Sequence, residues 1–165
     1  MTTKAWQNVA VFQVAAIAEV LLAKLLEYRN RNNYLLHEFV LMPNHLHIVL
    51  TPAGTTTLEK AINLKGRSSH PIHRVRPSNV QIWQSGFHES RIRGAADYQK
   101  RADYIRFNSV VAKLVENPID WLFTSASGKC ELDPTPQGRK PLTNASKVVG
   151  PEGPTTTANV RSGGA

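Results

Sequence analysis

Two histidines stand two residues apart, His45 and His47, in the stretch FVLMPNHLHIVLTP that runs from Phe39 to Pro52. On a β-strand, alternate side chains share a face. At about 3.3 Å per residue their Cα atoms would lie roughly 6.6 Å apart, so both imidazoles could turn toward one cation. Leu46, Ile48, Val49 and Leu50 are apolar and mostly strand-forming, which supports that placement. Alone, the pair is ordinary: two histidines on a sheet face need have no task. A second stretch downstream changes the balance. In a helix, Tyr104 and Asn108 lie four apart and share a face. A phenol beside an amide oxygen, together with two imidazoles, can make a metal-assisted tyrosine nucleophile. His45, His47 and Asn108 are the expected ligands. Mixed nitrogen and oxygen donors with open positions suit Mg2+ or Mn2+, although a histidine pair would also accept Zn2+ or Ni2+.

These residues also resemble a known pattern. His45-Leu46-His47 resembles the His-hydrophobe-His motif of HUH single-strand endonucleases, and Tyr104 with Asn108 resembles the tyrosine-plus-amide helix of single-tyrosine transposases. LMPNHLHIVLTP, LKGRSSH, IWQSGFHESRIR and DYIRFNSVVAKLV are similar, in that order, to blocks of the REP-associated tyrosine transposases, a branch of the IS200-like transposases. The resemblance extends from residue 5 to residue 126. It implies that Tyr104 attacks single-stranded DNA, leaving a 5′-phosphotyrosine link and a free 3′-OH, and that a new 3′-OH can reverse the step. It implies imperfect hairpins, REP-like palindromes, as substrate, a monomeric protein, and His88 as an accessory group near the site.

The chain departs from that pattern in four places. It begins inside the expected first strand. It lacks an apolar residue between Leu64 and Lys65. Pro71 stands where a basic residue is usual, and Ser109 where a helix-breaking proline is usual. A binding protein on the same fold that no longer cuts is therefore the alternative reading. A third reading, a small metal-binding protein with an unrelated ligand, predicts no preference for DNA over other polyanions as salt rises.

The charge balance points to an anionic partner. Lys and Arg number 20 against 12 Asp and Glu, a formal net charge of +8. Lys65, Arg67 and His70, interleaved with glycine and serines, suit phosphate contacts, as does Arg74 in the cluster His73-Arg-Val-Arg76. Arg91 and Arg93 extend the candidate DNA surface. Trp83 is a candidate platform for an unpaired base, with core packing as its competitor. The single Cys130 allows no internal disulfide and no cysteine-based zinc finger, which fits a reducing cytoplasm. No apolar run approaches the roughly 20 residues of a membrane helix, and no signal peptide is evident.

The elements that must position these groups follow from periodicity. Val14, Ile17, Leu21, Leu25 and Tyr28 recur at helical spacing, so Phe12–Arg31 reads as a helix ending in a polar turn. Tyr34–Met42 and the histidine strand flank Pro43-Asn44 as a hairpin, the expected central pair of the sheet. A helix starts near Leu58 behind a Thr56 or Thr57 cap, and Pro71 should stop any continuation. Short strands are expected at Val80–Trp83 and Glu89–Arg93, a long helix over Gly94–Asn108 and a short one over Val110–Val115. The expected fold is α+β: an antiparallel sheet of four to five strands with packed helices, spanning 1–126. Gly, Pro, Ser and Thr dominate from Ser127, so 127–165 reads as a disordered tail.

Overall fold

A computed structural model describes residues 1–54, 63–77 and 81–134. Its α+β architecture places a three-stranded antiparallel sheet between helices. Strand β1 (Thr2–Lys4) pairs with β3 (His45–Pro52), and β3 pairs with β2 (Tyr34–Met42), in the order β1-β3-β2. The histidine strand is therefore central. The hairpin is not the central pair, because β2 lies at an edge.

Helix α1 (Ala15–Asn30) follows a 3-10 turn at Val11–Gln13. Ile17, Leu21, Leu25 and Tyr28 form the buried stripe that their spacing predicts, whereas Val14 precedes the helix and is exposed. The helix ends where Asn32 takes a left-handed φ of 56°, a conformation asparagine tolerates. Tyr34 Oη then donates to Leu25 O at 2.7 Å and anchors β2 to the helix. Phe39, Leu41, Leu46 and Ile48 face α1 and form the larger core with it.

The other sheet face carries the site. Strand alternation puts Val40, Met42 and Val49 there, and the two histidines share the face with them. Helix α3 (Ala95–Val111) packs Tyr98, Ala102 and Ile105 against those three aliphatics. A buried ion pair beneath α3 joins Arg106 Nη2 to Glu38 Oε1. Ser125 Oγ donates to the second Glu38 oxygen at 2.7 Å, so helix, strand and C-terminal segment meet on one carboxylate. Ser109 does not break α3, which runs on to Val111. The expected separate helix over Val110–Val115 is thus the end of α3 followed by a turn at Lys113, whose φ is 57°.

Three further expectations are corrected. Helix α2 (Leu64–Val75) passes through Pro71 instead of ending before it. Pro71 has no N–H to offer the Arg67 carbonyl. Burial of Ile72 and Ser68 and a 2.8 Å hydrogen bond from Ser69 Oγ to Lys65 O hold the helix around it. The segments around Trp83 and His88 meet the N-terminal strand and the residue after it through single bridges, Ala5 to Trp83 and Thr2 to His88, so no strand forms at 81–83 or 89–93 and among the described residues the sheet has three strands. Ordered contacts also continue past residue 126. Asp133 Oδ2 accepts from Leu36 N at 2.8 Å, Asp133 N donates to Leu36 O at 2.8 Å, and Arg29 pairs with the same carboxylate. The helix expected from Leu58, the Val80 strand start and residues 135–165 of the tail lie outside the described residues.

Both sheet edges are covered. Along β2, Leu41 N donates to Phe123 O at 2.8 Å, Phe39 N to Ser125 Oγ at 3.1 Å, and Trp121 Nε1 to Leu41 O at 2.9 Å. Along β1, Thr2 exchanges backbone bonds with His88, and Gln84 N donates to Lys4 O. His37 sits at a bulge in β2, buried, with Nε2 2.8 Å from Thr51 Oγ1 and Nδ1 3.2 Å from Asp133 O, which gives it a structural role.

Candidate active site

His45 and His47 come together with Tyr104 and Asn108 at the end of α3. The two imidazole centroids lie 4.7 Å apart, and the Tyr104 ring meets His47 edge-on at 5.2 Å. Asn108 is buried and hydrogen-bonds the His45 side chain. Tyr104 is 49% exposed although its ring is in contact with His47.

The Nδ1 atoms of both histidines face partners inside the protein. His45 Nδ1 lies 2.6 Å from Asn44 Oδ1, and His47 Nδ1 lies 2.7 Å from Thr2 Oγ1. Burial disfavours the imidazolium at each position. His47 is pushed down to about 3, first by burial and then by the neighbouring charges of His45, the N-terminal ammonium and Lys4. Burial and Lys4 lower His45 as well, against a smaller opposing effect of its bond to Asn108. Neutral imidazoles carry the lone pairs that metal binding needs. Two such imidazoles and an amide oxygen suit a divalent cation with open positions. Among the described residues no group of three or more His, Cys, Asp and Glu side chains competes for one.

A stability slope follows. Below the ordinary histidine value of 6.5 the unfolded chain takes up a proton that folded His47 refuses until about 3. Stability is therefore expected to decline as pH falls from 6.5 toward 3, with no His47 contribution to the slope above 6.5. Urea melts at successive pH values check this, and His47→Gln should flatten that part of the curve.

The remaining sequence candidates do not converge on the histidines. Trp83 is a core residue, 4% exposed, with its ring 4.8 Å from Phe12 and its Nε1 donating to Ser68 Oγ at 3.0 Å. It offers no face to a base. Trp83→Ala is expected to cost about 3–5 kcal/mol in a denaturant melt, as for a large buried aromatic. Lys65 is half-buried, and burial lowers its ammonium; it donates to the carbonyls of Gln84 and Gly86, so it latches α2 to that turn. Arg67, His70 and Arg74 are exposed on α2, which packs against α1. The Arg67 guanidinium lies 5.7 Å from the Tyr28 ring centroid. His88 holds Thr2 through its backbone, and its side chain is exposed.

Arg91 and Arg93 are exposed on the approach to α3. Arg91 lines a groove of about 560 Å3 with Arg101, Tyr98, Val49 and Thr51. That groove follows β3 onward from His47. Sequence reasoning missed Thr2, Lys4 and Asn44. Asn44 stood next to His45 in plain view. Thr2 and Lys4 depend on the β1 register, Thr2 opposite His47 and Lys4 opposite His45, which no local pattern reveals.

The fold has a known counterpart. A solved structure of a REP-associated tyrosine transposase bound to a REP hairpin superposes with a TM-score of 0.62 at 18% identity, covering 86% of this chain and 90% of that one. No curated protein matches the sequence. The family described as IS200-like transposase matches residues 3–108. The chain belongs to the IS200-like transposase family. That match spans both histidines, Tyr104 and Asn108.

Proposed function

We propose that this transposase-family protein cleaves and rejoins single-stranded DNA at REP-like hairpins, with Tyr104 as nucleophile. The observation that carries the reading is the Tyr104 ring lying 5.2 Å from His47 on a residue that is itself half exposed. His45, His47 and Asn108 would hold a divalent cation, Mg2+ or Mn2+. When bound, the cation supplies Lewis-acid polarisation of the scissile phosphate and offsets its developing charge.

The chain's own residues do the rest. The Tyr104 oxygen attacks phosphorus and its proton passes to solvent. The P–O bond to the 3′ oxygen breaks, that oxygen takes a proton from solvent and leaves as a 3′-OH, and the 5′ phosphate stays on tyrosine. A free phenol has a pKa of about 10, so the reaction depends on charge supplied around the phosphate. Exposed Lys4, opposite His45 on β1, adds a cation to that field. Arg91 and Arg101 wall the groove that continues along β3, where a sugar–phosphate strand would lie. The exposed bases Arg67, His70 and Arg74 on α2 suit phosphate contact away from the site. The protein works as a monomer in the cytoplasm on this reading; among the described residues no helix is long and apolar enough to cross a membrane.

The test is incubation with labelled REP-like hairpin DNA and Mn2+ or Mg2+. A covalent protein–DNA adduct that survives denaturation is expected. Hairpin binding without any adduct would replace the nuclease by a binding protein on the same fold.

A further inference from the structure

Each imidazole of the candidate cation site is held from behind by a residue outside the ligand set. His45 Nδ1 lies 2.6 Å from Asn44 Oδ1, an atom that can only accept, so this contact is satisfied only with the proton on Nδ1, and the Asn108 amide, the ring's other partner, must then turn an N–H toward Nε2. The Asn44 amide is itself oriented: its Nδ2 donates to Asn8 Oδ1 at 3.0 Å, which leaves Oδ1 turned to the histidine. Asn8 reaches that position from a left-handed φ of 60°, tolerated by asparagine, and its N–H is fixed on Ala5 O.

On the central strand, His47 faces Thr2 in direct register across the β1 pairing, and Thr2 Oγ1 lies 2.7 Å from its Nδ1. Thr2 is held on the opposite edge by two backbone bonds with His88. A hydroxyl can donate or accept. If His47 Nδ1 accepted, the ring proton would sit on Nε2, which has no hydrogen-bond partner among the described residues, on the ring that packs against His45 and Tyr104.

We infer that Asn44 and Thr2 are positioning residues that lock the tautomers of His45 and His47, each keeping Nδ1 protonated so that Nε2 retains its lone pair. The cation side of this inference rests on the function proposed above; the tautomers themselves do not. A locked, pre-aimed lone pair lets a ligand bind without first choosing a ring state or an orientation. Such outer partners are commonly worth about 10–100-fold in metal affinity.

Long-range 1H–15N correlation of the imidazoles in the full-length, metal-free protein at neutral pH decides the tautomers. Nδ1–H at both rings is expected. Nε2–H at either ring would overturn the inference for that residue, whatever the protein does to DNA. Mn2+ titration then measures the consequence. Asn44→Ala and Thr2→Val should each weaken Mn2+ binding by about 10–100-fold, and Thr2→Ser, which keeps the hydroxyl, should restore it. Variants that hold Mn2+ as tightly as the parent, with unchanged tautomers, would also overturn it. A parent protein that binds no Mn2+ but shows Nδ1–H at both rings would defeat the cation reading and leave the locks standing.

Discussion

Tyr104→Phe is expected to eliminate the covalent DNA adduct, a loss of roughly 10^4-fold or more, on the scale of removing a covalent nucleophile. The change takes away one oxygen and little else. The ring keeps its edge-on contact with His47, helix α3 keeps its aromatic residue, and the deleted hydroxyl is on a side chain 49% exposed, so no buried partner is orphaned. Stability and hairpin affinity should therefore stay close to the parent, measured by urea melt and by equilibrium binding to labelled hairpin. An adduct formed by the phenylalanine variant would remove Tyr104 from the mechanism. Tyr98, the other tyrosine of α3, could not replace it: it is buried, with its hydroxyl 3.4 Å from Glu38.

The second large effect is on stability. Glu38→Leu should cost about 3–5 kcal/mol, because it strands the Arg106 guanidinium in the interior with only the half-exposed Asp103 carboxylate, 3.8 Å from Nη1, left beside it. Arg106 is 2% exposed and Glu38 fully buried, so water cannot take over. The same carboxylate receives Ser125 Oγ, so the substitution also loosens the C-terminal segment on β2. Adding Arg106→Met should recover much of the loss, since two apolar side chains can replace a buried pair at little net cost. Chemical denaturation of the parent and the two variants checks this. Equal stability of Glu38→Leu and the parent would show that the pair carries no uncompensated charge when broken. Arg106 lies between Tyr104 and Asn108 on α3, so the pair also fixes the helix that presents them.

The site was legible because its parts are local. A two-residue spacing on an apolar strand and a four-residue spacing on a helix are each visible in a short window, and the structure joins them. The hairpin and the buried stripe of α1 were readable for the same reason. What failed depended on partners distant in sequence. Trp83 stayed open between a base platform and core packing because nothing nearby announces Ser68 as the acceptor of its N–H. Pro71 looked like a stop because its local penalty is evident, whereas the packing of Ile72 that offsets it is not. The expected boundary at residue 126 followed composition, yet Asp133 lies beyond it and returns to Leu36 and Arg29. The strands expected around Trp83 and Glu89 are pieces of extended chain that each make one isolated bridge, to Ala5 and to Thr2.

The covered sheet margins have a consequence for how this molecule can meet others. A neighbouring chain cannot extend the sheet, because the outward amides and carbonyls of β2 and β1 are already spent on residues 121–133 and 83–88 of the same chain. Strand-by-strand polymerisation, the usual hazard of a short apolar sheet, is closed off at both ends. The strip that seals β2 ends at Asp133, beyond the point where composition alone would trim the chain. Cutting at residue 126 would uncover the Leu36 amide and release Arg29, turning a sealed margin into an adhesive one.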